Sequence, residues 1–246
     1  MRPIKPRSEL GRPLPYAAYD RRQYPTVGVE AGYAAWADVY GELDDRLDIA
    51  LFEASPLVDA RVGGARVVDL GCGTGRIGRW LAGRGAAEIV GVDRTPAMLR
   101  HADACGVYAR TQQGDVTHTG LEEAAFDGAV TSMVLCHVAD LQAFFAEAAR
   151  IVVPGGFLAI VDFHPFFMMN GVPTHFDDPV SGKPVAIENH VHAMRDFFAA
   201  ATAEGFAVRE MEERFVDQAW VDASPNYQKH LGRPVTCFWG CERGGG

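Results

Sequence analysis

The chain of 246 residues predicts an α/β fold: a doubly wound, mostly parallel seven-stranded sheet with an antiparallel C-terminal hairpin and an N-terminal helical arm or cap. Apolar runs alternate with helical segments from residue 65 to about residue 163, which is typical of parallel strands joined by right-handed crossovers. A glycine-rich turn directly follows the first run, as in sheets that bind ligands at their strand ends. Two later strand-like stretches, 206–216 and 235–242, are joined by a loop and predict the hairpin.

The N-terminal region precedes this alternation. Residues 1–25 are rich in proline and arginine and predict an irregular arm across the surface of the domain. Residues 30–54 have helical spacing, with an apolar face that starts at Tyr33 and continues through Leu43 to Leu51. We therefore expect one long helix that buries this face.

Within the alternating region, strands and helices follow in a regular order. Thr95 is expected to cap one helix and Asp140 another, and the Pro154-Gly155-Gly156 turn ends the latter. The predicted strands are 65–70, 88–93, 107–110, 127–135 and 157–163; the predicted helices are 76–81, 96–104, 141–152 and 192–204. These elements suggest an arm and helical cap over residues 1–60 and a ligand-binding domain over residues 61–246.

Composition excludes several classes of protein. The net charge is −9 although the first 22 residues are basic, so the acidic body disfavours a nucleic-acid partner. No apolar run approaches the roughly 20 residues that span a bilayer, and no N-terminal signal peptide is apparent. Five cysteines, an odd number, favour the reduced thiols of a cytoplasmic protein. The sequence leaves the oligomeric state open, a homodimer included.

The strongest motif is the segment 67–75, Val-Val-Asp-Leu-Gly-Cys-Gly-Thr-Gly. Gly71 permits a tight turn after the strand, while Gly73 and Gly75 remove side chains so that a ligand can lie against the backbone. The free N–H groups of the following helix favour a negatively charged ligand group. A dinucleotide fingerprint requires a third glycine where Arg76 stands, so nicotinamide binding is disfavoured.

This segment resembles motif I of the class I S-adenosylmethionine-dependent methyltransferases of the small-molecule type. The resemblance continues in order from about residue 60 to the C-terminus. It implies that S-adenosylmethionine is the cofactor, that Asp93 accepts hydrogen bonds from both ribose hydroxyls, and that Asp115 binds the adenine amino group. The cofactor-binding residues expected on this basis are Asp69, Gly71, Cys72, Gly73, Gly75, Asp93, Arg94, Met98, Asp115, Val116, Ser132, Tyr33 and Tyr40.

Three segments are expected to converge on the transferable methyl group: the ends of the fourth and fifth strands and an insertion over about 164–192, which we expect to be a lid without regular structure. His137 and His164 are candidate catalytic bases, with an orienting hydrogen bond or pocket packing as the equal alternative. The substrate-binding residues expected are Phe163, Phe166, Phe167 and His190. No spacing of ligands is diagnostic of a metal site, so we predict none.

The sequence thus predicts methyl transfer to an oxygen or nitrogen, less readily a carbon, of a small apolar or aromatic metabolite, as in small-molecule or secondary metabolism. Two alternatives stay open: an enzyme that uses the sulfonium for another outcome such as cyclisation, and a non-catalytic ligand-binding relative. The cofactor pocket alone does not separate them.

Overall fold

The computed structural model describes residues 14–41, 44–171 and 173–245, with side chains from Tyr16 onward. Residues 1–13 of the predicted arm, and Leu43 of the predicted helix, lie outside the described residues.

The described strands are β1 (Leu14–Pro15), β2 (Thr26–Val27), β3 (Arg66–Leu70), β4 (Glu88–Asp93), β5 (Arg110–Gln113), β6 (Phe126–Ser132), β7 (Val152–Phe163), β8 (His175–Asp177), β9 (Pro184–Ile187), β10 (His190–Val191), β11 (Phe206–Phe215) and β12 (Pro234–Arg243). The described α-helices are α1 (Val29–Trp36), α2 (Ile49–Ala54), α3 (Pro56–Val62), α4 (Arg76–Gly83), α5 (Pro96–Ala104), α6 (Leu141–Ile151), α7 (Pro165–Met169), α8 (Met194–Ala203) and α9 (Gln218–Ala223). Short 3₁₀ turns connect several of them.

The main sheet has seven strands in the order β11-β12-β7-β6-β3-β4-β5. Strands β3 to β7 run parallel, whereas β12 is antiparallel to both β7 and β11. The predicted mostly parallel sheet with an antiparallel hairpin is therefore confirmed. Because β3 lies between β4 and β6, the strand order reverses beside β3, and a crevice is expected at the carboxyl ends of these strands.

Helices cover both faces of this sheet, and β3 shows how its residues serve both layers. Successive side chains of a strand point to opposite faces, so Val68 packs with Phe144 and Phe145 while Val67 packs with Phe52 on the other side. Both valines are fully buried. The strand that leads into the glycine-rich turn is thus held rigidly from both sides.

The single long helix predicted over residues 30–54 is wrong. Helix α1 ends at Trp36, and α2 begins only at Ile49 after two 3₁₀ turns. Asp48 accepts a hydrogen bond from the Ile49 backbone N–H (2.6 Å), and Asp44 likewise accepts one from Arg46 (3.0 Å). Aspartates that bond the backbone in this way start new turns rather than extend a helix.

The expected unstructured insertion is also wrong. It contains α7 and the strands β8, β9 and β10. The N-terminal region supplies one strand to each of the two small sheets of the insertion. Strand β1 pairs with β10, and β2 adds a parallel strand to β9. Among the described strands, β1, β2 and β10 have no pairing strand within their own segment. They form because the N-terminal region and the insertion pack against each other.

Smaller corrections concern the ends of elements. The third strand is the polar segment 110–113 rather than 107–110, because Tyr108 turns into the core and an edge strand needs little apolar surface. Thr95 makes no side-chain cap on α5; its backbone N–H instead donates to Asp93. The hairpin loop contains α9 and a 3₁₀ turn. Asp140 does cap α6, as predicted.

Candidate active site

A cavity of about 870 Å³ opens at the carboxyl ends of β3, β4 and β6. Residues of helix α1, together with Glu188 and His190 of the insertion, also line it. Twelve of the residues singled out in the sequence line it, namely Tyr33, Tyr40, Gly71, Gly73, Asp93, Arg94, Met98, Asp115, Val116, Ser132, His137 and His190.

The three glycines of the turn differ in what surrounds them. All have positive φ (78°, 52° and 85° for Gly71, Gly73 and Gly75), a conformation that favours glycine. A Cβ on Gly71 would lie 2.3 Å from Val134 Cγ2, and one on Gly75 would lie 3.2 Å from Ala102 Cα. A Cβ on Gly73 would meet nothing nearer than 4.0 Å and would project into open space beside the cavity. Gly73 is therefore the glycine that leaves room for a ligand.

Asp93 ends β4 at the cavity wall. Its Oδ2 accepts the Gly73 N–H at 2.9 Å, and its Oδ1 accepts the Thr95 N–H at 2.8 Å. Burial raises the pKa of Asp93, while these hydrogen bonds oppose the rise. The side chain is thus fixed in orientation, and the carboxylate has further lone pairs for a ligand.

Asp115 and Arg94 lie beside Asp93 and form an ion pair, with Arg94 Nη2 at 3.3 Å from Asp115 Oδ2. Asp115 Oδ1 also accepts hydrogen bonds from the N–H (2.9 Å) and hydroxyl (2.7 Å) of Thr117. Partial burial raises the pKa of Asp115, but these bonds outweigh it and lower the pKa overall. Asp115 is therefore a charged hydrogen-bond acceptor at neutral pH.

Two residues of the motif lie behind the turn rather than in the cavity. Asp69 is 1% exposed and accepts a hydrogen bond from the Tyr108 hydroxyl at 2.7 Å. Burial raises the pKa of Asp69 to about 7, although the Tyr108 bond lowers it. Cys72 is buried against Leu99 and Ala102 of α5. Both residues support the turn from below, as Gly75 does.

Arg76 reaches across to the helical cap. Its guanidinium makes two hydrogen bonds to the carboxylate of Asp48, at 2.6 and 2.7 Å, and a third to Asp45 at 2.8 Å. Ser132, at the cavity wall, donates its hydroxyl to Asp48 Oδ2 at 2.5 Å. The end of β6 and the start of α4 are thereby tied to the same buried aspartate.

His137 follows β6 and connects three parts of the chain. Its Nδ1 lies 2.6 Å from the Glu188 carbonyl oxygen, and its Nε2 lies 2.9 Å from the Tyr33 hydroxyl. Burial lowers the pKa of His137 to about 4, although the Glu188 bond raises it. The imidazole is therefore neutral near pH 7 and can accept a proton.

The 3₁₀ turn that carries His137 is held by Asp162, near the end of β7. Asp162 Oδ2 accepts the Leu135 N–H at 2.6 Å, and Oδ1 accepts the Phe163 N–H at 2.7 Å. Burial raises the pKa of Asp162 to about 6, although these hydrogen bonds lower it. This carboxylate fixes the backbone beneath the cavity without lining it.

The second candidate base lies elsewhere. His164 does not line the cavity; its Nε2 is 2.7 Å from Glu213 Oε1, and its Nδ1 accepts the Phe166 N–H at 3.0 Å. Phe163 and Phe167 stack on each other at 5.5 Å, also outside the cavity, and Phe166 is 42% exposed. The expected aromatic wall of the substrate site is therefore not formed by these three residues.

Some lining residues had no clear signal in the sequence. Glu188 contributes a backbone carbonyl that binds His137, and the acidic residue Glu30 of α1 also lines the cavity. Met133 adopts a positive φ of 57°, which is uncommon for a residue with a side chain. Such outliers cluster at functional sites, but only the folded backbone reveals them.

The donor set fits the cofactor that the sequence implies. A carboxylate at Asp93 suits a pair of adjacent hydroxyls, and Asp115 suits an amino group, since both are acceptors fixed by backbone N–H donors. The space beside Gly73 admits a chain against the backbone. Fold and site together define a nucleoside-binding α/β domain whose ligand lies at the switch point of the sheet.

Comparisons with known proteins place the domain. Residues 68–160 match the family model described as the methyltransferase domain. The crystal structure of an S-adenosylmethionine dependent methyltransferase from Mesorhizobium loti is similar with a TM-score of 0.62 and 26% identity, covering 78% of this chain and all of that one. Residues 68–160 thus carry a methyltransferase domain, and the structure is similar to an S-adenosylmethionine-dependent methyltransferase of this fold, which supports S-adenosylmethionine as the cofactor of this domain.

Two curated relatives each match part of the chain. An uncharacterised methyltransferase of Emericella nidulans is 32% identical over 186 residues, which are 63% of this chain and 63% of that protein. A ubiquinone biosynthesis O-methyltransferase of Azorhizobium caulinodans is 35% identical over 101 residues, or 39% of this chain and 40% of that protein. The match therefore spans less than two thirds of the length of each relative.

Two further observations complete the description. All five cysteines are free thiols. Within the described ranges, none of the helices combines the length and apolar character required to cross a membrane.

Proposed function

We propose that this protein transfers a methyl group from S-adenosylmethionine to an oxygen or nitrogen of a small-molecule acceptor. The observation that carries the proposal is one continuous cavity that joins Gly73, Asp93 and Asp115 to Tyr33 and His137. Its volume of about 870 Å³ lies within the range of roughly 300–1,000 Å³ for small-molecule sites. The acidic surface and the enclosed site both favour a metabolite over a nucleic acid.

In this proposal, different residues bind the cofactor and the acceptor. Asp93 and Asp115 hold the nucleoside, and Tyr33 and Tyr40 present aromatic rings, whose faces attract a cation such as a sulfonium. When bound, the cofactor supplies an electrophilic methyl group. Helix α1 and the insertion both line the cavity and help to orient the acceptor, so that catalysis rests mainly on positioning. His137 holds the acceptor side of the site and is the candidate proton acceptor.

Calorimetric titration of the full chain with S-adenosylmethionine and S-adenosylhomocysteine tests the cofactor site, with Asp93→Ala as the variant that should lose affinity. Incubation with methyl-labelled S-adenosylmethionine and a panel of phenols and amines then tests the transfer. Release of S-adenosylhomocysteine together with a labelled acceptor supports the proposal.

Three results would contradict it. Absence of binding removes the cofactor assignment for the whole chain. A cyclised product without added acceptor favours the other sulfonium chemistry. Binding with no turnover across the panel favours a non-catalytic ligand-binding protein.

A further inference from the structure

Both ring nitrogens of His137 already have partners. The Glu188 carbonyl oxygen, 2.6 Å from Nδ1, can only accept a hydrogen bond, so Nδ1 carries the proton. The amide nitrogen of Asn189 is farther from Nδ1, at 3.3 Å. Nε2 is then unprotonated and accepts the Tyr33 hydroxyl at 2.9 Å. The imidazole therefore has no nitrogen left to contact an acceptor directly.

The Tyr33 hydroxyl is the group through which His137 can be reached. Tyr33 lines the cavity, and its oxygen keeps lone pairs after it has donated its hydrogen to His137. Burial raises the pKa of Tyr33 well above its ordinary value, so the phenol is neutral and donates rather than accepts at Nε2. A proton that enters from the cavity must pass through this oxygen.

We propose that Tyr33 and His137 form a proton relay, and that the acceptor is an uncharged molecule that presents a hydroxyl group to Tyr33. This inference rests on the proposed methyl transfer and adds the nature of the acceptor and the catalytic role of Tyr33. Tyr33, assigned to the cofactor from the sequence, contacts the acceptor oxygen in this scheme.

The relay balances in charge and atoms. The acceptor oxygen forms the new O–CH₃ bond while the S–CH₃ bond breaks and leaves its electron pair on sulfur. Tyr33 Oη takes the hydroxyl proton, and the proton that Tyr33 held moves to His137 Nε2. The positive charge that leaves sulfur then resides on the imidazolium, whose Nδ1–H still donates to Glu188. The imidazolium returns this proton to solvent before the next cycle.

A hydroxyl suits this arrangement better than an amine. A hydroxyl is a weak nucleophile until its proton leaves, so it requires a base in contact at the moment of attack. A neutral amine attacks with its free lone pair and needs no such contact. The ubiquinone-biosynthesis relative, 35% identical over 101 residues, is named an O-methyltransferase.

The charge of the cavity wall argues against an anionic acceptor. The acidic residues Glu30, Asp93 and Asp140 line it. Among the described lining residues, Arg94 is the sole arginine or lysine, and it pairs with Asp115. Carboxylates of one sign in a cleft repel an anion and tolerate a neutral ligand.

Two variants isolate the relay. Tyr33→Phe keeps the ring and removes the hydroxyl, and His137→Gln removes the base. Tyr24→Phe is the matched control, because Tyr24 also contacts a histidine, His175, with ring centroids 5.3 Å apart, but lies outside the cavity.

Turnover of two uncharged probes, phenol and aniline, by the full chain near neutral pH provides the kinetic test. Phenol must lose its proton as it attacks, whereas aniline attacks with its free lone pair and needs no base in contact. We expect Tyr33→Phe and His137→Gln to lower kcat for phenol by about 100-fold or more and kcat for aniline by less than about tenfold. Equal losses for both probes, or methylation of aniline alone, would overturn the inference.

A spectroscopic test needs no acceptor. In the ¹⁵N NMR spectrum of the histidine-labelled full chain, we expect His137 to carry its proton on Nδ1. Tyr33→Phe should shift the His137 Nε2 resonance, and Tyr24→Phe should not. A proton on Nε2 overturns the relay even where cofactor binding is intact, whereas absent cofactor binding with the expected tautomer contradicts only the proposed methyl transfer.

Discussion

Arg76 and Asp48 form a two-point ion pair, with Nη1 at 2.6 Å from Oδ2 and Nη2 at 2.7 Å from Oδ1. Asp48 is fully buried, and the Arg76 side chain is 13% exposed. The pair joins the helical cap to the first turn of α4, directly after the glycine-rich turn. The cap is therefore fixed to the cofactor site by a contact that solvent screens little.

Loss of one partner of this pair should destabilise the protein. We expect Arg76→Ala to lower the free energy of unfolding by about 3–5 kcal/mol, because it leaves the carboxylate of Asp48 buried without its counter-charge. Urea denaturation measures the change. Arg209→Ala, which breaks an exposed pair with Glu242, is the control and should cost less than about 1 kcal/mol. Equal losses in the two variants would contradict the special role of Arg76.

Asp93→Ala should weaken cofactor binding. The variant loses two charge-assisted hydrogen bonds to the ribose, worth roughly 2–4 kcal/mol, so the dissociation constant for S-adenosylhomocysteine should rise by at least about tenfold. Isothermal titration calorimetry measures it. Asp222→Ala removes an exposed carboxylate of α9 whose hydrogen bond among the described residues is to Gln218, and the variant should bind the cofactor like the wild type. An unchanged affinity in Asp93→Ala removes the central site assignment.

The two glycines nearest the cavity should respond differently to an added methyl group. Both have positive φ, so either alanine variant carries a backbone strain of about 1 kcal/mol. Gly71→Ala adds a collision with Val134 and should lower the melting temperature further. Gly73→Ala places its methyl in open space and should lower cofactor affinity more than stability. Thermal melts paired with calorimetry separate the effects; the reverse order would contradict the assigned roles.

His137 should make stability depend on pH. Burial lowers its folded-state pKa to about 4, against about 6.5 in the unfolded chain, so the unfolded state binds the proton first. Its contribution is therefore present above about pH 6.5 and is lost as pH falls toward 4. Arg94 and His190 oppose the charged form, and the Glu188 carbonyl favours it.

Comparison with His137→Gln isolates the contribution of His137 to the free energy of unfolding. Between about pH 7 and pH 5, the wild type should lose about 2 kcal/mol more unfolding free energy than the variant. Urea denaturation at the two pH values measures it. Asp69 and Asp162, whose pKa values are raised, titrate in both proteins and cancel in the difference. Parallel losses in the two proteins would show that His137 is not buried in its neutral form.

Local patterns in the sequence were enough to predict several residues that line the cavity. The strand before Gly71, the open position at Gly73 and the acids at the ends of strands all depend on residues close together in the chain. Their geometry follows from the turn and from the parallel sheet, which brings strand ends to one edge. Asp93 and Asp115 line the cavity for that reason.

Local patterns did not separate His137 from His164, since both follow a strand end. The fold separates them: Glu213 on β11 binds His164 away from the cavity, whereas Tyr33 and Glu188 hold His137 at its wall. These last two partners are 104 and 51 residues away along the chain. No local periodicity encodes such contacts, because they depend on how two distant segments pack.

The sequence by itself thus determined the sheet, the ligand-binding turn and the class of cofactor, all of which follow from short-range geometry and alternation. Only the tertiary structure decided which histidine lies at the cavity wall. The arm and the insertion complete each other's strands and carry Tyr33 and Glu188 to opposite sides of His137. The aromatic segment at Phe163–Phe167 packs elsewhere, since its rings find partners in the stacked pair and around His230.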